Sequence, residues 1–83
     1  MKIEIIGSGG AVCKTLFTNT LEALRETGKK GRVVIVNDFQ KIIKYGVIMT
    51  PALVINGVVM LSGRLASPVE IVAILQRNFS TFV

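Results

Sequence analysis

Apolar positions fall into short blocks whose spacing changes along the chain. Lys2 to Ile6 is a compact apolar run and predicts a strand; Gly7, Ser8, Gly9 and Gly10 then break it. Glycines allow a sharp strand-to-helix turn. From Ala11 the spacing becomes helical: Cys13, Leu16, Phe17, Leu21 and Leu24 recur three or four residues apart, which predicts one buried face, and Gly28 is a natural stop. Arg32 to Val36 predicts a second strand; Val33, Val34, Ile35 and Val36 are apolar without alternation, the pattern of a strand covered on both faces.

Asn37 or Asp38 is placed to cap a short helix carrying Phe39, Ile42 and Ile43 on one side, ended by Gly46. Ala52 to Ile55 and Val58 to Leu61 flank Asn56-Gly57. That dipeptide between β-branched runs is a strong hairpin signal, because both turn positions need positive φ. Ser67-Pro68-Val69-Glu70 has the form of a capping box with proline at the first helical position, and predicts a last helix from Pro68 to about Asn78. The tail Phe79 to Val83 either extends that helix or packs back on the core.

The resulting order is β-α-β-α-β-β-α. A βαβ unit crosses over right-handed when its strands share a sheet. The order therefore predicts an α/β fold: a four-stranded mixed sheet with two helices on one face and one on the other.

Composition narrows the chemistry. The chain has 83 residues, read as a single domain over 1–83, and 51% are hydrophobic, which excludes disorder. A domain this small has little surplus stability, and staples are absent: one cysteine makes no internal disulfide, and with no histidine there is no Cys/His zinc site. No metal or cofactor is expected. Val47 to Leu61 is interrupted by Thr50, Pro51, Asn56 and Gly57, too broken for a membrane helix, and the start of the chain reads as a strand rather than a signal peptide. A cytoplasmic protein with no membrane partner is expected, and a lone free cysteine fits a reducing compartment. The net charge is +5, but the basic residues are scattered; the cluster Lys29, Lys30 and Arg32 follows a helix end, where the dipole favours cations. No base-reading motif or aromatic platform accompanies it, so no nucleic-acid partner is expected.

Three segments resemble a known group. Lys2-Ile3-Glu4-Ile5-Ile6-Gly7-Ser8-Gly9-Gly10-Ala11-Val12-Cys13 is similar to a strand, a glycine turn and a Cys-x-x-Cys motif. Met49-Thr50-Pro51-Ala52-Leu53-Val54-Ile55-Asn56-Gly57 is similar to a Thr-Pro segment leading into a hairpin, and Ser62-Gly63-Arg64-Leu65-Ala66-Ser67-Pro68 to the turn before a final helix. In this order and spacing they resemble the very small thioredoxin-like proteins of bacteria and archaea called redox-active disulfide protein 2. The resemblance spans essentially the whole chain. It implies a thioredoxin-like fold of glutaredoxin size, a cis peptide bond before Pro51, and a groove formed by Gly10, Ala11, Val12, Thr50, Pro51 and Gly63.

The chain departs from that pattern at its chemistry. Gly10 stands where the resemblance implies the first cysteine, and only Cys13 remains. In proteins of this fold the first cysteine is the exposed nucleophile at a helix N-terminus, where a thiol's pKa is lowered. Exchange passes through a mixed disulfide that the second thiol resolves. One thiol cannot run that cycle within one chain.

Cys13 is the candidate thiol, open to two readings: a monothiol that pairs with a protein or peptide thiol partner, or a small core residue in register with Leu16 and Phe17. The register favours the core. Pro51 likewise either opens a strand, where a missing amide is tolerated, or borders a peptide-binding groove as the resemblance implies. Gly7 to Gly10 lacks the spacing of a phosphate-binding loop. Two functional classes follow: a thiol-disulfide family member with a degenerate motif, or a non-catalytic module binding peptide or protein around that motif.

Overall fold

A computed structural model describes residues 1–79. The elements are β1 (Lys2–Ile6), α1 (Ala11–Thr27), β2 (Arg32–Val36), α2 (Phe39–Tyr45), β3 (Ala52–Ile55), β4 (Val58–Ser62) and α3 (Pro68–Phe79). The helix that opens at Pro68 takes in Phe79; the remainder of the tail, residues 80–83, lies outside the described residues.

The four strands form one mixed sheet in the order β2-β1-β3-β4. β1 runs parallel to β2 and antiparallel to β3, and β3 and β4 form an antiparallel hairpin. At the hairpin tip Asn56 has φ 50° and Gly57 φ 84°, as a two-residue primed turn requires. The turn is tied to the first strand: Lys2 N donates to Asn56 Oδ1 at 2.8 Å, and Asn56 N to Lys2 O at 2.8 Å.

Strand alternation divides the core. Ile3, Ile5, Leu53 and Ile55 face α1 and α3, meeting Leu16, Leu24, Ile71 and Leu75. Ile6, Ala52 and Val54 face the other way, toward Val47, Ile42 and Tyr45. Two helices therefore cover one face and α2 covers the other. This β-α-β-α-β-β-α arrangement is the thioredoxin-like fold.

Three local expectations are corrected. On α1 the buried face is Cys13, Leu16, Thr20, Ala23 and Leu24, with Phe17 half-buried; Leu21 is largely exposed. Leu21 follows Thr20 by one residue and so points roughly 100° away. Thr20 is tolerated inside because its hydroxyl donates to Leu16 O at 2.7 Å. β2 is half-buried rather than fully covered, because it lies at the end of the sheet. On α2, Ile42 packs against the core, but Phe39 and Ile43 are 73% and 63% exposed.

The caps follow the sequence. Asp38 Oδ1 accepts from Gln40 N at 3.0 Å, and Ser67 Oγ accepts from Glu70 N at 3.2 Å. Glu70 closes the capping box, its carboxylate accepting from the Ser67 backbone N–H, and it also pairs with Arg64.

Candidate functional site

β1 ends at Ile6, and the backbone turns at once. Gly7 N donates to Val36 O at 3.0 Å, fixing the turn to the parallel neighbour strand. Gly9 has φ 85°, a left-handed conformation that favours glycine. Gly10 is the N-cap of α1 in extended conformation, with no side chain to cap the helix, and Lys14 N donates to Gly10 O at 3.0 Å to start the helical ladder.

The second wall comes from the loop before β3. The Thr50–Pro51 peptide is cis. Pro51 O accepts from Gly63 N at 2.9 Å, which joins that loop to the end of the hairpin. Ser8, Gly10, Ala11, Val12 and Cys13 on one side and Thr50 and Pro51 on the other enclose a shallow cavity of about 300 Å³. Six of the seven residues named from sequence thus meet in one place. Gly63 does not line the cavity. It stands behind it with φ 81°, and a Cβ built on it would lie 3.2 Å from Met49 Cβ.

Cys13 is on the first turn of α1 and is only 4% exposed, packed into the core shared by α1, α3 and the sheet. A Cβ built on Gly7 would overlap the Cys13 sulfur, and would also lie 3.8 Å from Pro51 Cα and from Thr50 Cβ. The thiol is therefore wedged between the strand end and the Thr50-Pro51 loop. Residues missed from sequence are Ser8, which lines the cavity, and Gly7, whose lack of a side chain makes room for the sulfur. Gly7 reads from sequence only as one of several turn glycines.

The chemistry of the cavity is sparse. It carries two hydroxyls and one buried thiol; no carboxylate or amine lines it, so there is no general base beside the sulfur. Among the described residues no group of three or more Cys, Asp or Glu side chains is placed to hold a metal ion, and no helix is long and apolar enough to cross a membrane. Val12, which lines the cavity, is half-exposed, and Ile48 and Met49, which precede Thr50 in the chain, are 95% and 63% exposed.

A second polar cluster lies on the α2 side of the sheet. Glu4, in the middle of β1, is 2% exposed. Tyr45 Oη donates to its Oε1 at 2.6 Å, and Lys41 Nζ pairs with its Oε2 at 3.4 Å. Burial pushes the Glu4 carboxyl upward, but the Tyr45 and Lys41 hydrogen bonds, with the positive charges of Lys41 and Lys2, outweigh it and hold the group below its ordinary value. The same hydrogen bond to Glu4, with burial and the carboxylate charge, raises the Tyr45 phenol. The signal in the sequence was a single carboxylate inside an otherwise apolar strand.

A four-stranded mixed sheet, a glycine turn into α1 and a Thr-Pro loop facing it define a protein of the thioredoxin-like class. Residues 1–76 match the Thioredoxin domain family, and the chain belongs to that family. It is similar to a thioredoxin of Methanothermobacter thermautotrophicus, 36% identical over 75 residues, covering 90% of this chain and 97% of that protein.

Proposed function

We propose that this chain is a thioredoxin-family protein, of the redox-active disulfide protein 2 kind, that has lost its own dithiol cycle. Gly10 occupies the place of the exposed nucleophilic cysteine at the start of α1, and Cys13 that of the resolving one. The observation that carries this reading is the lone sulfur of Cys13, 4% exposed beneath the Gly10 turn. A dithiol cycle transfers two electrons by converting two thiols to a disulfide, and one thiol supplies half of that inventory. A free thiol with no partner in the chain fits a reducing compartment.

Two experiments test it. Wild-type protein should not accelerate the reduction of a protein disulfide by dithiothreitol. Gly10→Cys should introduce a second thiol that pairs with Cys13 on mild oxidation, read as the loss of both titratable thiols. Turnover by the wild type, or two thiols in the variant that resist pairing, overturns the reading.

The exposed apolar rim supports a further component. Val12 lines the cavity, and Ile48 and Met49 precede its Thr50-Pro51 wall in the chain; all three are exposed while the thiol is hidden, which suits binding of an extended peptide or protein segment more than reaction with it. Replacing Ile48 and Met49 with serine should then remove peptide binding without altering the fold.

A further inference from the structure

The two edges of the sheet are not alike. β4 carries an irregularity: Leu53 pairs with Leu61 but Val54 with Val59, so Met60 is left over as a bulge. Bulges are one of the devices that discourage a sheet edge from pairing with another chain. β2, the other edge, has none; its five residues hold an unbroken parallel register with β1, and Val33 to Val36 carry no proline and no charge.

The backbone groups on this edge can be assigned. Arg32 N donates to Met1 O at 2.9 Å, and Val36 O accepts from Gly7 N. Arg32, Val34 and Val36 therefore direct their amides and carbonyls at β1. By the alternation of a parallel ladder, Val33 and Ile35 direct theirs outward, where no described strand borders them. The side chains of Val33 to Val36 are only half-buried.

We propose that the chain forms a two-fold dimer by antiparallel pairing of β2 with β2 of a second copy, centred on Val34. In this register Val33 opposes Ile35 of the second copy, and the reverse. Both are the outward-facing residues, so each pair exchanges two backbone hydrogen bonds. Val34 meets Val34 of the second copy on the α2 side. Two residues beyond the strand ends, the same register sets Lys30 opposite Asp38 of the second copy, twice by symmetry. Lys30 and Asp38 are both exposed, and Asp38 is extended, with φ −126° and ψ 113°. Charge also selects the direction. Lys2, Lys30 and Arg32 cluster at one end of β2 and Asp38 stands at the other, so a parallel pairing would bring the cationic ends together. The occupant is thus a second copy: parity, apolar matching and end charges all agree with β2 pairing with itself. The inference does not depend on the thiol chemistry. A strand pair buries less than a standard interface, so the dimer is reversible and concentration-dependent.

Sedimentation equilibrium of the full chain, with reductant present to exclude a Cys13 disulfide, tests this directly. The mass should rise with concentration from 9.0 kDa toward twice that value. Val34→Lys sets two ammonium groups face to face and should leave a folded monomer at every concentration. Lys30→Glu, at an exposed position, turns two attractive pairs into repulsive ones and should weaken association roughly tenfold. Amide exchange at Val33 and Ile35 should slow as wild-type concentration rises. If Val34→Lys fails to fold, the Lys30→Glu variant and the exchange measurement decide. A wild-type mass of 9.0 kDa up to the solubility limit, or a dimer that survives these substitutions unchanged, overturns the proposal.

Discussion

The sulfur of Cys13 fills the space that a side chain on Gly7 would need. The two residues are linked by the turn between β1 and α1, and each constrains the other. A Gly7→Ala substitution must displace the sulfur or the Thr50-Pro51 loop, an overpacking expected to cost about 1–3 kcal/mol. Combining it with Cys13→Ala removes the clash. The double variant should therefore be more stable than the sum of the single losses predicts, measured as a double-mutant cycle by urea denaturation. Strict additivity would mean that the two side chains do not compete for this space.

Cys13 access follows from the same wedge. Thiol reagents should label the native protein slowly at neutral pH and rapidly once it is unfolded in denaturant. The measurement is the ratio of the two rates. Equal rates would mean that the Gly10 turn leaves the sulfur open, and would favour a reactive monothiol.

Glu4 should make stability depend on acid. Its folded-state carboxyl titrates below its ordinary value of 4.5. The stability it contributes is therefore fully present above that value and is lost as pH falls through the lower folded-state value. Glu4→Gln removes the ion pair with Lys41 and should cost about 1–3 kcal/mol near neutrality. The gap between wild type and variant should narrow in acid, read from denaturation midpoints across pH. Tyr45→Phe should weaken the same acid-dependent contribution, and a gap that stays constant with pH would exclude Glu4 as its source.

The two sides of α2 should respond differently. Ile42→Ala should cost about 2 kcal/mol, because its side chain packs against Ile6, Val47 and Val54. Phe39→Ser and Ile43→Ser should each fall within about 0.5 kcal/mol of wild type. Thermal denaturation of the three variants separates them.

The element order was legible because it rests on local signals: turn glycines, an Asn-Gly hairpin and a capping serine; the meeting of the glycine turn with the Thr-Pro loop was legible only through the family resemblance. What was not legible depends on which neighbour covers a residue. Leu21 and Thr20 are adjacent, and hydropathy alone picks the wrong one; the buried threonine is acceptable only because its hydroxyl reaches Leu16 O. Phe39 and Ile43 satisfy a helical pattern, yet in a helix this short the apolar packing against the sheet comes from Ile42 and Tyr45, with Lys41 reaching Glu4 beside them. Gly7 differs from the other turn glycines only in what approaches it, which is information held across the fold.

The buried carboxylate of β1 has one more effect. Ile3, Ile5 and Ile6 would be content on either side of the sheet, so hydrophobicity alone does not tell this strand which way to face. Glu4 decides it. Only the α2 side offers a phenol and an ammonium group to receive the charge, while the other side is lined by Leu16, Ile71 and Leu75. A one-residue slip would turn the carboxylate into that apolar layer. Glu4 thus acts as a key that fits one orientation of the central strand, and it orients β2 and β3 as well, since both pair with β1.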